Sequence, residues 1–218
     1  MSSDSVSELC ARLSGYGSST VGAVLDDLGL GGLITRIRPV AAGFRFAGPA
    51  FTAKLEVGEL GSFLDTDFKI GEYIDQPPPG AVVAIDMAGA PVSALGGIAT
   101  RVAQRRGLAA IVIDGGSRDL DETRGMGFPL FVRHSLPVTG RRRVRVIGTG
   151  IPIQLDGVAV SPGDILVGDD TGIVCVPIGM LEQVANRAAA ITTRDERVRA
   201  LVEQGSGFTE AFLQEGKS

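Results

Sequence analysis

The chain has 218 residues and a formal net charge of −4, with 44% apolar and 21% charged residues. This composition predicts one folded domain with a substantial core, and it excludes a disordered chain. The acidic balance disfavours a nucleic-acid partner, because such binders ordinarily present a basic face.

No segment predicts a membrane span or a secretion signal. Cys10 and Cys175 are the only cysteines, and two distant cysteines make no disulfide framework. We therefore expect a soluble, cytoplasmic protein without a membrane partner.

Two short helices are predicted first, over residues 5–14 and 18–28, where apolar residues recur at helical spacing. Helices are also expected at 61–70 and 96–106. A C-terminal helical segment covers about 178–214, divided into helices at 178–204 and 207–214. We expect a single domain over 1–218, with its core at about 18–178. Short runs rich in Val and Ile predict strands at 34–40, 49–57, 81–86, 110–114, 128–133, 144–147, 158–160, 165–169 and 172–176.

The most informative local segment is an apolar strand at 110–114 that is followed by two glycines, a serine, and then Arg118 and Asp119. Loops at the carboxyl ends of buried strands are where α/β proteins place ligands. Arg118 offers a planar fork that matches a carboxylate. Asp119 offers a hard oxygen ligand for Mg²⁺ or Mn²⁺. An ordinary surface ion pair in a turn is the alternative interpretation.

A second segment places Gly96 and Gly97 at the start of the predicted helix 96–106. The first N–H groups of a helix lack partners within the helix and lie at the positive end of its dipole, so they favour a bound anion. A tight strand-to-helix turn that needs small residues is the alternative. The spacing is not that of a dinucleotide-binding loop.

Other polar residues favour structural roles. His134 is the only histidine, which excludes a multi-histidine metal site. The basic run 141–145 predicts a solvated or subunit-facing surface, with an anion site as the alternative. Three acidic residues stand in turn-forming contexts that explain them without catalysis: Asp164, Asp169 and Asp170.

The order of several motifs resembles the RraA-like family, which includes the 4-hydroxy-4-methyl-2-oxoglutarate aldolases. The resemblance covers nearly the whole chain from about residue 18. Its most specific blocks are Gly-x-x-Arg-Asp at 115–119 and Pro-Gly-Asp at 162–164 followed by Asp-x-Gly at 170–172. The further matching segments are 20–26, 46–52, 80–83, 95–97 and 173–177.

This resemblance implies an α/β fold, a layered β/β/α swivelling domain like the phosphohistidine domain of phosphotransferases, with flanking N- and C-terminal helices. It also implies trimers or hexamers whose active sites lie between subunits. The implied activity is that of a divalent-metal-dependent aldolase that releases pyruvate from 4-hydroxy-2-oxo acids such as 4-hydroxy-4-methyl-2-oxoglutarate and also decarboxylates oxaloacetate. The RraA branch implies an alternative, a non-catalytic regulator that inhibits a ribonuclease by protein contact.

The resemblance also implies site roles. Arg118 would hold the carboxylate of the small 2-oxo acid substrate, and Asp119 would bind the metal, Mg²⁺ or Mn²⁺. The backbone of one short stretch would contact the same ligand: Gly96, Gly97, Ile98 and Ala99.

One position departs from the family pattern. Many aldolase members carry an acidic residue where this chain has Gly97. The carboxylate that would orient metal-bound water is then either missing or supplied from elsewhere, with Glu56 and Glu59 as candidates.

Overall fold

The computed structural model describes residues 3–216. Within them lie seven α-helices: α1 Ser3–Tyr16, α2 Ser18–Asp27, α3 Gly71–Ile74, α4 Gly97–Arg105, α5 Leu120–Met126, α6 Leu181–Glu203 and α7 Phe208–Glu215. The same part of the chain forms twelve strands: β1 Leu33–Ile34, β2 Arg38–Pro39, β3 Phe46–Val57, β4 Val82–Asp86, β5 Ser93–Leu95, β6 Ala110–Ser117, β7 Leu130–Ser135, β8 Val144–Thr149, β9 Ile153–Leu155, β10 Val158–Val160, β11 Ile165–Asp169 and β12 Gly172–Val176.

A twelve-residue strand, β3, joins the two halves of the main sheet. Its second half pairs in parallel with β4, and the parallel series continues through β6 to β7. Its first half pairs with β11 in antiparallel fashion, followed by β12 and then β1. The strand order is therefore β1-β12-β11-β3-β4-β6-β7-β2, with β5 beside β6 and β8 beside β3.

The parallel strands are buried on both faces. Ile85 and Ile111 point towards α3, α4 and α5, where they share a core with Tyr73 and Ala103. Because side chains alternate along a strand, the adjacent residues face the opposite way. Because both faces of these strands are buried, their sequences are continuous apolar runs and do not alternate between apolar and polar residues.

The opposite face packs against a second β layer. Ala84 and Val112 share a core with Leu155 on the β9–β10 hairpin and with Leu166 and Ile173 on the antiparallel strands. A third core covers the outer side of β11 and β12 with residues of α1, α2 and α6. The order of layers, helices on sheet on sheet on helices, confirms the expected layered α/β fold with flanking terminal helices.

The prediction of a helix over 61–70 was wrong. That segment contains only a 3-10 turn, Asp65–Asp67, before the short helix α3. The Asp67 carboxylate accepts a hydrogen bond from the Leu64 N–H at 2.8 Å, a local bond that competes with helix formation. Leu60 and Leu64 are 59% and 69% exposed, so they supply no buried helical face.

Smaller departures concern short elements. The predicted strand 34–40 is split into β1 and β2, and Pro39 in β2 has no N–H to donate to a ladder. The strands β5 and β9 and the helix α5 were not predicted.

No helix in the described part of the chain is both long and apolar enough to cross a bilayer.

A row of charged side chains crosses the parallel sheet on the face that packs against the β9–β10 hairpin. Lys54, Asp86 and Asp114 are in register on three neighbouring strands. The Lys54 ammonium lies 2.6 Å from Asp86, and the Arg133 guanidinium lies 2.5 Å from Asp114. Both aspartates are almost completely buried, so each charge is paired where isolated burial would be costly.

Asp156, at the turn of the β9–β10 hairpin, extends this network. Its carboxylate accepts hydrogen bonds from the backbone N–H groups of Thr35 and Arg36 and from the Arg133 side chain. Burial by itself would raise the pKa of Asp156, but these hydrogen bonds outweigh it and hold the pKa below its ordinary value of 3.8. The ionised carboxylate of Asp156 therefore stabilises the packing of the β9–β10 hairpin against the rest of the fold.

We expect Asp156→Asn to lower the unfolding free energy at pH 7 by about 2 kcal/mol, the scale of a hydrogen bond to a charged group. Because the folded pKa is depressed, the lost contribution is fully present well above 3.8 and disappears as the pH falls through the folded value. Urea unfolding should give a constant difference between wild type and variant from pH 7 to 5 and a narrowing one below 4. A difference independent of pH would contradict this role. Asparagine tolerates the positive φ at this position.

Candidate functional site

Arg118 and Asp119 occupy the turn between the fully buried strand β6 and helix α5. Asp119 adopts a left-handed backbone conformation, with φ 58° and ψ 39°. Aspartate is among the few residues that accept this conformation readily. The turn directs the Asp119 side chain back towards the start of α4.

The short strand β5 brings the second predicted segment to the same place. It pairs in parallel with β6, with Leu95 opposite Ser117, and α4 begins directly after it. The Gly97 N–H then donates a hydrogen bond to Asp119 Oδ2 at 3.2 Å. The glycine-rich helix start and the Arg–Asp pair, 22 residues apart in the chain, thus lie in contact.

Gly96 is required by this close approach. A Cβ on Gly96 would lie 2.3 Å from Asp119 Oδ2 and 3.1 Å from Arg118 Nε. Its backbone is extended, at φ −140°, which any residue can adopt. The contact therefore depends on the absence of a side chain at Gly96 and does not require a backbone conformation special to glycine.

The site borders a cavity of about 380 Å³. Arg118, Asp119 and Asp75 supply its charged side chains, whereas α3 and α4 supply apolar walls. Ile98, in the first turn of α4, is 82% exposed. Helix α3 was not predicted, so its contribution to this cavity was missed. The apolar lining consists of Ile70, Ile74, Ile98, Ala99 and Val102.

The Arg118–Asp119 pair contributes little to stability. The Arg118 Nε to Asp119 Oδ2 distance is 3.5 Å, and both side chains are nearly half exposed. Ion pairs of this exposure are worth at most about 1 kcal/mol. An arginine fork, a carboxylate and the N–H groups of a helix start converge here, and this combination suits an anionic ligand with a cation beside it.

Glu122, one turn after Asp119 on α5, was missed by sequence reasoning. A Cβ on Gly97 would lie only 2.0 Å from Glu122 Oε2, so this carboxylate rests directly on the first turn of α4. Its other oxygen accepts a hydrogen bond from Arg101 at 2.9 Å. Glu122 lies in the first turn of α5, so its position beside α4 could not be predicted without recognising α5 as a helix.

The two glutamates expected to compensate for Gly97 lie elsewhere. Glu56 pairs with Arg145 on the neighbouring strand β8 and lines a different cavity beside Lys54. Glu59 lies exposed in the turn after β3. The carboxylate that packs against Gly97 is that of Glu122.

The donor set fits a hard cation that keeps much of its water. Among residues 3–216, no group of three or more His, Cys, Asp or Glu side chains is placed to hold a metal ion. Asp119 Oδ1 accepts no hydrogen bond from the described residues, which leaves that oxygen available. Mg²⁺ and Mn²⁺ suit such a site because they bind through one or two carboxylates, with water and ligand oxygens completing the shell.

The remaining candidates have structural partners. His134 contacts the Gly89 carbonyl at 2.9 Å, and Arg141 in the basic run pairs with Asp65. The Asp164 carboxylate accepts N–H groups from Ser161 and Ile178.

The other two turn aspartates and Cys175 also serve the fold. Asp169 accepts hydrogen bonds from the Ser18 N–H and hydroxyl, and Asp170 accepts the Gly43 N–H. Burial, aided by the charge of Asp164, raises the pKa of Cys175 to about 12, so this thiol is an unreactive core residue.

Comparison with known proteins places the chain in a family. The RraA-like family, described as Aldolase/RraA, matches residues 21–175. The protein DlpA of Legionella pneumophila is 29% identical over 211 residues, which cover 96% of this chain but 34% of DlpA. The chain therefore spans about a third of that relative. A Halalkalibacterium halodurans protein with the provisional name 4-hydroxy-4-methyl-2-oxoglutarate aldolase is 27% identical over 187 residues, 85% of each chain.

Solved structures share the fold. An uncharacterized protein from Pseudomonas syringae pv. tomato superposes with a TM-score of 0.87 at 27% identity, over 95% of this chain and 94% of that one. Streptomyces coelicolor RraAS2, described as an unusual member of the RNase ES inhibitor RraA family, gives 0.81 at 26% identity, over 88% and 97%.

We expect Gly96→Ala to fold but to lose about 1 kcal/mol of unfolding free energy, because its Cβ displaces Asp119 from the Gly97 N–H. Gly125→Ala, inside α5, is the matched control. A Cβ there meets nothing within 4 Å, so alanine should stabilise this helix by up to about 1 kcal/mol. Urea unfolding measures both, and a Gly96→Ala variant as stable as wild type would contradict the contact.

Proposed function

The chain belongs to the RraA-like family, and from that premise we propose that it is a carbon–carbon lyase that requires a divalent metal and releases pyruvate. Its substrates are small 2-oxo acids. It cleaves 4-hydroxy-2-oxo acids such as 4-hydroxy-4-methyl-2-oxoglutarate, and it decarboxylates oxaloacetate. The observation that carries this proposal is the convergence of Arg118, Asp119 and the start of α4 beside a mainly apolar cavity.

Arg118 is the carboxylate clamp in this proposal. Its planar guanidinium donates two parallel hydrogen bonds to the substrate carboxylate, which fixes the orientation of the adjacent keto group. The N–H groups of the first turn of α4, from Gly97 to Ala99, add the positive end of a helix dipole. Together they stabilise negative charge that develops on the keto oxygen as the C3–C4 bond breaks. C4 leaves as CO₂ from oxaloacetate or, after the 4-hydroxyl has lost its proton to water, as a carbonyl compound, and water then protonates C3 to give pyruvate.

Asp119 would hold the divalent cation, Mg²⁺ or Mn²⁺, through its free oxygen. When bound, the ion supplies Lewis-acid polarisation of the 2-oxo group. The hydrogen bond from Gly97 fixes the Asp119 carboxylate in position, so the charge is oriented before the ligand arrives. The chain has only three lysines, Lys54, Lys69 and Lys217. None of the three lies in the Arg–Asp or glycine-rich segments, so the proposal uses no lysine Schiff base.

A homo-oligomer, trimer or hexamer, is part of the proposal. Support comes from the openness of the site, where Arg118 and Asp119 are about half exposed and Ile98 is 82% exposed. A second copy over this edge would cover Ile98 and exclude water from the reacting atoms, which strengthens electrostatic interactions there.

The second candidate function is regulation of a ribonuclease by protein contact, without catalysis. It is favoured by the likeness to Streptomyces coelicolor RraAS2, whose description places it in a family of RNase ES inhibitors. A regulator would not need the Arg118–Asp119 arrangement beside a cavity. Catalysis by the purified protein therefore separates the two functions.

We expect the purified protein to decarboxylate oxaloacetate and to release pyruvate from 4-hydroxy-4-methyl-2-oxoglutarate. EDTA should abolish both activities, and added Mg²⁺ or Mn²⁺ should restore them. Pyruvate formation can be followed with a coupled dehydrogenase, and the metal-catalysed reaction without protein is the blank. Full activity in EDTA would exclude the metal-dependent mechanism.

Arg118→Lys keeps the positive charge but loses the planar fork, and Asp119→Asn keeps the shape but loses the charge that binds the cation. Each variant should lower kcat/KM by roughly a hundredfold or more, or about 2.7 kcal/mol of transition-state stabilisation. The double variant should be barely worse than either single one, because both residues serve one ligand. Near wild-type activity in both single variants, with normal thermal unfolding, would place the site elsewhere.

A further inference from the structure

The charged side chains around the cavity beside the candidate site sum to a negative charge. Of the described residues that line it, Arg118 is the one cation, whereas Asp119 and Asp75 are anions. In the lyase function proposed above, Arg118 holds the C1 carboxylate of the substrate and Asp119 holds the metal. The cavity lining then offers no cation to a second carboxylate on the same substrate.

The other walls of this cavity are apolar and come from two helices. Ile70 and Ile74 lie four residues apart at α3, and both line the cavity. On α4, Ile98 and Val102 have the same spacing, with Ala99 between them. Residues four apart share one face of a helix. A substrate group that extends from Arg118 into the cavity therefore meets hydrocarbon from both helices.

Asp75 adds a negative charge to this lining. It follows Ile74 directly as the C-cap of α3. Its carboxylate lies against the start of that helix, where a Cβ on Gly71 would be 2.9 Å from Asp75 Oδ2. Within the part of the chain that the structure describes, this carboxylate has no hydrogen-bonding or ion-pair partner. Its charge is therefore uncompensated, and it repels a second anion in the cavity.

On the basis of that lyase function, we propose that the site prefers monocarboxylate substrates, 4-hydroxy-2-oxo acids whose C4 carries an alkyl group. Asp75 is a specificity-determining residue that disfavours a second carboxylate. The apolar walls bind the alkyl group by removing it from water, whereas a carboxylate placed there loses hydration without gaining a partner. Repulsion by Asp75 adds to the selection against the dianion.

Cleavage of the alkyl substrate breaks the C3–C4 bond. The 4-hydroxyl proton passes to water, C4 leaves as an aldehyde or ketone, and water protonates C3 of the enolate to give pyruvate. The co-product is then a neutral carbonyl compound and not a second oxo acid.

A matched pair of substrates measures the preference. 4-Hydroxy-4-methyl-2-oxohexanoate has an ethyl group in place of one carboxylate of 4-hydroxy-4-methyl-2-oxoglutarate, and both are assayed with the wild-type protein and Mg²⁺. Rates are compared per C3–C4 bond broken, since the dicarboxylate yields two pyruvates and the monocarboxylate one. Oxaloacetate is left out because its second carboxylate is the leaving group.

We expect kcat/KM to be higher for the alkyl substrate by about tenfold or more, the scale of one methylene in an apolar pocket. A kcat/KM for the dicarboxylate that equals or exceeds that of the alkyl substrate would overturn the preference. That result is expected if a second copy of the chain supplies a cation to the cavity.

Charge variants at Asp75 test its role through the ratio of kcat/KM for the dicarboxylate to kcat/KM for the alkyl substrate. Because this is a ratio, a partly unfolded fraction of a variant cancels. Asp75→Asn should raise the ratio by roughly fivefold, the scale of a contact between unit charges in water. Asp75→Lys should raise it further, because it adds a cation to the cavity.

Glu72→Gln is the matched control. Glu72 lies on the same short helix, is 3.3 Å from the Lys69 ammonium and does not line the cavity. Its ratio should stay within about twofold of wild type, because solvent screens a charge outside the cavity. An unchanged ratio in both Asp75 variants would overturn the role of Asp75, as would an equal rise in Glu72→Gln.

The same measurements separate this inference from the proposed function. Absence of pyruvate release from both substrates in wild type would overturn the lyase function and this preference with it. Pyruvate release from the dicarboxylate at an equal or higher kcat/KM would leave the lyase function standing and remove only the preference.

Discussion

The hydrogen bond from the Gly97 N–H to the Asp119 carboxylate joins the start of α4 to the turn that follows β6. It is possible only because β5 pairs with β6 and delivers the start of α4 to the end of that strand. Gly96 must be small to allow the contact, and Asp119 must adopt a left-handed conformation to make it. One polar contact therefore determines residue identity at several positions around the candidate site.

Buried and exposed carboxylates serve different purposes in this molecule. Asp86, Asp114 and Asp156 are almost fully buried, and each is matched by a cation and by backbone N–H groups. These pairings position the β9–β10 hairpin. Asp119 and Glu122, by contrast, are nearly half exposed and incompletely paired. Unused hydrogen-bonding capacity at a cavity, rather than burial, is what distinguishes the candidate site.

Much of the fold could be predicted because its central strands are apolar, rich in Val and Ile, and bounded by turn residues. The runs at β4, β6, β11 and β12 and the helices α1, α2, α4 and α6 were found at nearly the correct bounds. The strand β5 was missed because three residues carry no detectable period, and α5 because its seven residues are mostly polar or glycine. At 61–70 the side chain of Asp67 competes for a backbone N–H that a helix would need. For the candidate site, local chemistry predicted Arg118, Asp119 and Gly96, which the structure brings together. The position of Glu122 depends on the packing of α5 against α4, which local chemistry does not show.

The long strand β3 has a consequence for how the chain assembles. Its second half pairs with β4, only a few tens of residues later, and β4 to β7 pair among themselves within residues 82–135. Its first half pairs with β11, and β1 pairs with β12, at sequence separations of more than a hundred residues. Closing such distant pairs is entropically slow. On the ribosome, the parallel strands that carry the candidate site can pair early. In contrast, β1 and the start of β3 cannot pair with β12 and β11 until residues 165–176 have been synthesised. During that interval β1 and the start of β3 lack their partner strands, so they present unpaired backbone groups to which a neighbouring chain can pair.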